Sequence, residues 1–378
     1  MEIIAPRAAL WLDTLGPRAK YNIAESYVEP VRIRELLEMD PRAGGAFLDD
    51  LLDTKLDYGE IDGSRELREG IAGFYQDKSA DCVMLAHGAI AANLIALLAL
   101  VSPGDRVVIA HPNYQQLYAV PQALGADVRT LELREEDGFL PDADELRRCM
   151  GETCRLLILT NPNNPTGSVM DEAALRQAAQ AAREAGAYLL CDEIYLGYPR
   201  EGVRLARAAD VYEKGISTGS FSKVYGLSGA RIGWVCAAPE ILELLAPYRN
   251  YTSICCGQLG DAVACLGMRN FDALMRRNNE ILYGNLAHLK QWLLQNPQVR
   301  CEIPKAGTFV LLRYDFPVDS ATLCTQLFER YGTFVMPGCC FDLEGCLRLG
   351  IGGDRETFAA GLACLSAYFR SLKEEADA

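Results

Sequence analysis

One lysine of the chain has neighbours that could hold a phosphate. Lys223 follows Ser220 and Ser222, and two glycines lie between it and Arg231. A lysine amine becomes a useful nucleophile when burial or cationic neighbours lower its pKa. Serine hydroxyls, backbone amides left accessible by glycines, and an arginine are donors that suit a phosphate. The pattern therefore predicts an amine nucleophile beside a phosphate site, although a polar loop can also carry an ordinary surface lysine.

A phosphorylated aldehyde fits both parts of this pattern. Its carbonyl carbon would form a Schiff base with the amine of Lys223, and the neighbouring donors would hold its phosphate. Pyridoxal 5′-phosphate (PLP) binds in this way, so we expect PLP as the cofactor. The rest of the sequence must then supply partners for the ring of the cofactor and for a substrate.

Candidates for the ring partners follow two apolar runs that we expect to be strands. Asp192 ends the run 187–191, where a carboxylate is costly unless it meets a cation or several donors. A protonated pyridine nitrogen would be such a partner; the alternative is that Asp192 caps the next helix. Tyr195 could donate to a phenolic oxygen of the cofactor or simply pack. Asn164 lies in the loop 161–167, which two prolines and a glycine restrict, but such a loop can also be a plain turn.

The phosphate and the face of the ring have weaker candidates. Gly88 and Ala89 open an apolar helical run, and the free amides of a helix N-terminus bind anions. Many strand-to-helix turns look similar, however. Tyr114 follows the run 105–110 and could place its ring against a flat cofactor, or it could be an ordinary packing residue.

A sheet must position these residues. Short β-branched runs alternate with helical patterns in the middle of the chain, which is typical of a parallel sheet with helices on both faces. Ligands collect at the carboxyl ends of such strands. After about residue 260, a long helical pattern and short strands indicate a second, α+β domain, against which the first forty or so residues could pack. The expected strands are 105–110, 155–160, 187–191, 231–237, 308–313 and 346–351, and the expected helices are 90–100, 171–185, 272–295 and 356–373.

Composition narrows the partners and the compartment. The 378 residues favour two domains, and the net charge of −14 disfavours nucleic acid and anionic membranes. The apolar run 89–101 is interrupted by Asn93 and is too short to cross a bilayer, and the first residues lack a signal-peptide pattern. Fourteen cysteines without a C-x-x-C pair, beside three histidines, indicate free thiols rather than a metal site. We expect a cytoplasmic protein with small-molecule ligands, no metal, and neither a nucleic-acid nor a membrane partner.

Taken together, the motifs resemble the class I/II aminotransferases, which are fold type I PLP-dependent enzymes. The resemblance implies an α/β fold with a large PLP-binding domain, whose mostly parallel seven-stranded sheet is flanked by helices. A smaller α+β domain would combine the N-terminal segment with the C-terminal third, with divisions at 1–44, 45–260 and 261–378. The residues that carry the resemblance are Tyr58, Gly63, Leu67, Arg68, Gly88, Ala89, Pro112, Tyr114, Asn164, Pro165, Thr166, Gly167, Asp192, Tyr195, Ser220, Ser222, Lys223, Arg231 and Arg348.

The resemblance also implies a role for each site residue. Lys223 would be the catalytic residue, which carries the cofactor as a Schiff base and moves the proton of the substrate Cα. Arg348 would bind the substrate α-carboxylate, with Asn164 beside it; the alternative for Arg348 is a surface ion pair. The remaining implied roles are Asp192 at the pyridine nitrogen, Asn164 and Tyr195 at the 3′ oxygen, Tyr114 stacked on the ring, Ser220, Arg231, Gly88 and Ala89 at the phosphate with Ser222 as a weaker candidate, and Tyr58 at the phosphate of the neighbouring subunit in a homodimer with shared active sites.

One segment departs from the family pattern. Members usually have a glycine-containing segment near the N-terminus that lines the substrate pocket, whereas residues 21–27 contain no glycine. Glu25 or Tyr27 could therefore narrow the pocket or meet a polar or cationic substrate side chain. Glu25 could also simply face solvent. The departure leaves the substrate open.

The predicted function is that of an aminotransferase, which moves the α-amino group of an amino acid to a 2-oxo acid. A PLP-dependent lyase or cyclase, acting by β- or γ-elimination or by amino-acid cyclisation, is the alternative, because the cofactor supplies the chemistry and the pocket selects its course. A non-catalytic regulator of the same fold would need a DNA-binding region, and the chain has no basic patch.

Overall fold

The computed structural model describes residues 3–197 and 205–377 of the chain. Its strands are β1 (Tyr21–Asn22), β2 (Val83–Ala86), β3 (Arg106–His111), β4 (Asp127–Glu132), β5 (Cys154–Thr160), β6 (Tyr188–Asp192), β7 (Gly215–Ser220), β8 (Gly233–Cys236), β9 (Val299–Cys301), β10 (Phe309–Tyr314), β11 (Thr333–Phe334), β12 (Met336–Pro337) and β13 (Cys346–Gly350). Its α-helices are α1 (Arg7–Leu15), α2 (Ile33–Glu38), α3 (Pro41–Leu52), α4 (Arg65–Ala72), α5 (Gly88–Leu100), α6 (Gln116–Ala123), α7 (Ala143–Met150), α8 (Glu172–Glu184), α9 (Ala208–Val211), α10 (Pro239–Thr252), α11 (Gln258–Arg269), α12 (Phe271–Gln295), α13 (Ser320–Tyr331) and α14 (Arg355–Asp377).

Strands β2 to β8 form one seven-stranded sheet with the order β2-β8-β7-β6-β5-β3-β4. Adjacent strands from β7 to β4 are parallel, and β8 is antiparallel to both of its neighbours. The register sets Thr160 opposite Asp192, and Asp192 opposite Thr218. The mostly parallel seven-stranded sheet predicted from the sequence is therefore confirmed. Its carboxyl edge brings together the residues that follow β5, β6 and β7.

Helices cover both faces of this sheet because its central strands are apolar on both sides. In β5, Leu156 and Ile158 are buried in one cluster with α5, while Leu157 and Leu159 are buried in another with α8. This alternation follows from the two-residue period of a strand. Each fully buried leucine or isoleucine contributes about 1.5–3 kcal/mol of transfer free energy. Burial on both faces therefore holds β5 in the sheet and fixes the start of the loop 161–167 that follows it.

Parts of the sheet differ from the sequence prediction. The strand expected at 231–237 begins at Gly233, because Arg231 ends a short 3-10 turn in a left-handed backbone conformation with φ of 56°. Two further strands lacked a recognisable apolar run. Strand β4 is a polar edge strand, and β7 consists largely of glycine, serine and threonine. Gly219 in β7 lies against the indole of Trp234, where any Cβ would clash, so neighbouring strands rather than a local pattern specify β7.

A second sheet lies in the C-terminal third. Its strands are antiparallel in the order β12-β13-β10-β9, and α12 and α14 contribute to the same hydrophobic cluster. The N-terminal segment packs here, as expected: β1 pairs with β11, and the backbone amide of Gly350 donates to the carbonyl of Ile23. The domain boundaries at residues 44/45 and 260/261 stay a prediction. Between residues 3 and 197 and between 205 and 377, no helix combines the length and the apolar character that a bilayer requires.

Candidate active site

A cavity of about 360 Å³ lies at the carboxyl edge of the large sheet, facing the C-terminal third of the chain. Most of the site residues predicted from the sequence line it. They are Gly88, Ala89, Tyr114, Asn164, Asp192, Tyr195, Ser222, Lys223, Arg231 and Arg348. Ser220 and Tyr58 do not line this cavity. In the described part of the chain, no cluster of three or more His, Cys, Asp or Glu side chains could hold a metal ion.

Lys223 extends into this cavity from the loop that follows β7. Its Nζ donates to the hydroxyl of Ser26 at 3.2 Å and lies 5.4 Å from the centre of the Tyr27 ring. Burial lowers the pKa of the amine to about 8, and the positive charge of Arg348 acts in the same direction. A substantial fraction of the amine is therefore neutral near physiological pH, which is the form that attacks a carbonyl or accepts a proton.

Asp192 ends β6 as a buried carboxylate. One of its oxygens accepts from the side-chain amide of Asn93 at 2.8 Å, and the other accepts from the backbone N–H of Ile194 at 3.1 Å. The hydroxyl of Thr218 donates to Asn93 at 2.6 Å and fixes the orientation of that amide. Burial raises the pKa of Asp192, and these hydrogen bonds oppose the rise. The hydrogen bond from Ile194, two residues later, is the local contact that a capping role for Asp192 predicts. Asp192 also lines the cavity, as a partner of the cofactor ring would.

Asn93 was missed by the sequence analysis, in which it figured only as a break in the apolar run 89–101. It is buried in α5, a helix whose other buried residues are glycine, alanine, isoleucine and leucine. A buried amide requires hydrogen-bond partners, so a polar residue in such a helix was itself a signal. The sequence could not identify Asp192 as its partner.

The N-terminus of α5 and Arg231 form the most donor-rich end of the cavity. Gly88 has a φ of +75°, and His87 provides no side-chain cap, so within residues 3–197 and 205–377 the first amides of α5 have no side-chain partner. The guanidinium of Arg231 packs against Gly88 and lies 3.4 Å from the hydroxyl of Ser222. Ser228, which the sequence analysis did not single out, lines the same end. Free helix amides, an arginine and hydroxyls are a donor set that suits a phosphate.

Ser220 lies behind Ser222 and does not line the cavity. It is buried, its hydroxyl is 2.7 Å from that of Ser222 and 3.1 Å from the carbonyl oxygen of Ile232, and it accepts from the backbone N–H of Ser222 at 2.9 Å. Ser222, the weaker candidate of the sequence analysis, is the serine that reaches the cavity. A phosphate role for Ser220 stays a prediction.

Arg348 on β13 is buried, with 3% of its surface exposed. Its guanidinium donates to the side chain of Asn164 at 2.9 Å and to the backbone carbonyl of Ala24 at 3.1 Å. The rings of Phe309 and Phe341 lie 5.6 and 5.1 Å away. Its Nε is buried and has no hydrogen-bond partner among the described residues. The alternative of a surface ion pair is therefore wrong, and an unsatisfied donor at a cavity suits an incoming carboxylate.

Tyr195 and Tyr114 lie on the walls. Burial raises the pKa of Tyr195 to about 12, and its hydroxyl is 3.0 Å from that of Ser26. Burial also raises the pKa of Tyr114, and the charge of Asp192 adds to this rise. Tyr58 is 72% exposed, so it does not serve the cavity of its own chain.

The segment 21–27 lies across the cavity. Ser26 and Tyr27 line it, and the charge of Glu25 raises the pKa of both Lys223 and Arg348. Glu25 is half-buried, so it does not simply face solvent. Ser26 was not considered in the sequence analysis, although it contacts both Lys223 and Tyr195.

Helix α1 closes a further side of the cavity with small and apolar side chains, among them Ala8 and Leu12. The guanidinium of Arg7 holds this helix in place, with bonds of 2.6 and 2.8 Å to the carboxylate of Asp342. The same guanidinium donates to the hydroxyl of Tyr118 at 3.2 Å. The helix therefore connects the large sheet with the C-terminal third.

Comparisons with known proteins agree with this geometry. A family model described as aminotransferase class I and II matches residues 42–364. The capreomycidine synthase of Streptomyces vinaceus is 30% identical over 358 residues, which cover 94% of this chain and 91% of that protein. A PLP-dependent aminotransferase from Streptococcus suis is 35% identical, with a TM-score of 0.95 over 98% of this chain and 99% of that one. The PLP-dependent cyclase OrfR is 31% identical, with a TM-score of 0.88 over 99% and 98% of the two chains.

Proposed function

Because the chain belongs to the class I and II aminotransferase family, whose cofactor is PLP, we propose that it transfers the α-amino group of an amino acid to a 2-oxo acid. Arg348 carries this proposal. It is an enclosed guanidinium with an unsatisfied Nε, lining the same cavity as an amine whose pKa is about 8. A carboxylate bound at Arg348 would give the substrate a fixed end from which its Cα can be presented to Lys223.

The donor set at the cavity fits PLP. Ser222, Arg231 and the first amides of α5 would hold its phosphate, and Asp192 would keep its ring nitrogen protonated. Asn164 and Tyr195 would hold the 3′ oxygen, and Tyr114 would lie against the ring. Bound there, the cofactor supplies an electron sink for the bonding electrons of the substrate Cα.

Lys223 would have two tasks in this proposal: its amine would hold the aldehyde of the cofactor, and as a free amine it would move the proton of the substrate Cα. A pKa near 8 suits both tasks, because the neutral amine is accessible and its conjugate acid can return a proton. The apolar side chains of α1 and Phe341 limit the access of water to the cavity. Restricted water strengthens the interactions of Arg348 and Asp192 with charged partners.

A cyclisation or elimination on the same site is the second candidate. It is supported by the likeness to capreomycidine synthase and to the cyclase OrfR, each 30% identical or more over nearly the whole chain. The glycine-free segment 21–27 also supports a cyclisation or elimination. Tyr27 lines the cavity and the charge of Glu25 acts on Lys223, so the substrate side of the cavity differs from one lined by a glycine-containing segment. Both reactions begin with removal of the Cα proton, so Lys223 serves either.

A single-turnover assay separates the two candidates. The PLP-loaded protein is mixed with a panel of amino acids in the absence of any 2-oxo acid, and the products are quantified by mass spectrometry. Transamination yields at most one 2-oxo acid per active site and then stops. Cyclisation or elimination continues for many turnovers, and an elimination also releases ammonia. More than one turnover per active site would refute the aminotransferase proposal, whether the product is a cyclic amino acid or a 2-oxo acid released with ammonia, and Lys223→Ala is the control for reactions that do not need the site.

We also propose a homodimer with shared active sites. Tyr58 is exposed beside the exposed apolar side chains of Leu52 and Leu56, which are typical of an interface. In this proposal, Tyr58 reaches the phosphate of the neighbouring subunit. A mixture of a Tyr58→Ala protein and a Lys223→Ala protein, refolded together, would then contain dimers with one intact site. Activity above that of either parent supports sharing, and no gain despite mixed dimers contradicts it.

Two further expectations remain proposals. We propose a cytoplasmic location, which is supported by fourteen cysteines that are all free. We also propose the division into residues 1–44, 45–260 and 261–378, which is supported by the separate hydrophobic clusters of the large sheet and of the C-terminal third.

A further inference from the structure

We propose that Ser26 is a positioning residue that holds the amine of Lys223 and links it to the hydroxyl of Tyr195. This inference rests on the proposed function, because it concerns the amine that moves the Cα proton. Ser26 is buried, with 5% of its surface exposed, and it lines the cavity. Its hydroxyl lies 3.2 Å from Lys223 Nζ and 3.0 Å from the Tyr195 hydroxyl.

The backbone around Ser26 is held on both sides. The carbonyl of Ser26 accepts from the hydroxyl of Thr308 at 2.7 Å, and the backbone N–H of Val28 donates to the carbonyl of Lys223 at 2.9 Å. The carbonyl of Ala24 accepts from Arg348. The backbone on either side of Ser26 is therefore bonded to Lys223 and to Arg348. These bonds define the position of the Ser26 hydroxyl relative to both residues.

A hydroxyl can satisfy the amine in both of its protonation states. It has one proton to donate and two lone pairs with which to accept. When Lys223 is an ammonium, Ser26 accepts from it and can donate to the oxygen of Tyr195. When Lys223 is a neutral amine, Ser26 can donate to the nitrogen lone pair and accept from Tyr195. Alanine or glycine at position 26 would leave Nζ without this partner.

The charged groups around Lys223 act on it from several elements. Arg348 on β13 and Arg231 after β7 lower its pKa, whereas Glu25 and Asp192 raise it. The ring of Tyr27 lies beside Nζ and favours its cationic form. None of these groups forms a hydrogen bond with Nζ in the described part of the chain, where Ser26 is its partner. Burial and these charges act on the pKa of the amine, and the hydrogen bond to Ser26 both holds the amine in position and stabilises its cationic form.

Segment 21–27, which lacks glycine, therefore has a defined role in this proposal: it positions Lys223 through Ser26. From the sequence, Glu25 and Tyr27 are the residues of this segment expected to alter the substrate pocket. Ser26 lies between them, and its side chain contacts the proposed catalytic amine itself. A glycine at this position would provide space but no hydroxyl.

The test compares Ser26→Ala with Ser26→Thr, which keeps the hydroxyl. The holoenzyme is mixed with an amino-acid substrate deuterated at Cα, and the rate of Cα proton removal is followed in single turnover from pH 6 to pH 10. Ser26→Ala should move the rise of this rate to lower pH by about 1 unit, because one hydrogen bond to the ammonium is lost. It should also lower the plateau about tenfold or more, and Ser26→Thr should restore both.

A second measurement does not depend on turnover. In full-length protein stripped of PLP, the pKa of the Lys223 amine is read from the pH dependence of its reductive methylation, quantified by peptide mass spectrometry. The same downward shift is expected for Ser26→Ala, and the thermal midpoint shows that the variant is folded. Unchanged pKa and unchanged plateau in Ser26→Ala would overturn the inference. If wild-type protein removes no Cα proton from any amino acid, the proposed function fails, whereas the methylation result still decides the Ser26–Lys223 contact.

Discussion

The hydrogen bond from Asn93 to Asp192 gives the sharpest prediction for cofactor binding. Asn93→Ala removes one of the two hydrogen bonds that the buried carboxylate accepts. A hydrogen bond to a charged group contributes about 1.5–3 kcal/mol, and one pKa unit corresponds to about 1.4 kcal/mol. The already raised pKa of Asp192 should therefore rise further, because the hydrogen bond that favours the ionised form is lost. The carboxylate would then be protonated over a wider pH range, and the cofactor ring would lose its anionic partner.

We expect the affinity of Asn93→Ala for PLP to fall about 10-fold to 100-fold, and more steeply at low pH. Equilibrium dialysis of PLP from pH 5.5 to pH 9 measures this loss. The sign follows from the carboxyl group: a higher pKa means that ionisation is complete only at higher pH, so binding weakens first on the acidic side. Alanine is a good helix former, so α5 should remain intact, which a thermal midpoint checks.

Thr218→Val is the matched control. It removes the hydroxyl that orients the Asn93 amide but leaves the donor to Asp192 in place. Its loss of PLP affinity should therefore be smaller than that of Asn93→Ala. A dissociation constant for Asn93→Ala within twofold of wild type at every pH would refute the reasoning, because Asp192 would then not depend on its buried partner.

Three further predictions concern the rest of the site. Arg348→Lys should raise KM for the amino acid about tenfold or more, because a lysine cannot form the two parallel bonds of a guanidinium; steady-state kinetics at saturating PLP measures this, and an unchanged KM would contradict the carboxylate role. Gly88→Ala should weaken PLP binding far more than Gly104→Ala: both glycines have left-handed φ angles, but a Cβ at position 88 would lie 2.8 Å from Arg231, whereas one at position 104 meets open space. The PLP dissociation constant and the thermal midpoint are measured for both variants. A lower midpoint in both reports the strain of alanine in a left-handed conformation, whereas weaker PLP binding in Gly88→Ala alone reports the clash with Arg231. The rate of Cα proton removal in the wild type should rise with pH through about 8 and then level off, because the neutral amine of Lys223 is the base; a rate independent of pH between 6 and 9 would exclude Lys223 as that base.

The sequence was sufficient to predict the residues at strand ends. Asn164 and Asp192 follow apolar runs, and a parallel sheet brings the carboxyl ends of its strands to one edge. Lys223 was identified in another way, from Ser220, Ser222 and Arg231 around it, because the strand before it, β7, matched no pattern. For Asn164 and Asp192, the signal is local: a strand pattern followed by a polar group.

Residues whose roles depend on distant contacts could not be predicted in this way. Asn93 meets a residue 99 positions away, and Ser26 meets one 197 positions away. Neither has a neighbour in the sequence that indicates its partner. Strand β7 was missed because its small polar residues match no periodic pattern, and the close approach of Trp234 explains why position 219 in it is a glycine. Tertiary contacts determine the roles of these residues and the position of this strand, and no local pattern in a single sequence shows which distant residues will meet.

The N-terminal segment across the cavity also has a consequence for the order in which the protein is made. The candidate PLP-binding residues of this chain lie between Gly88 and Arg231, whereas Ser26 and Ala24 are held by residues 282 and 324 positions later. At a synthesis rate of about 5–20 residues per second, the segment waits roughly 15–60 s on the ribosome before its partners exist. The large sheet can therefore form, and offer a place for the cofactor, before the substrate side of the cavity is complete.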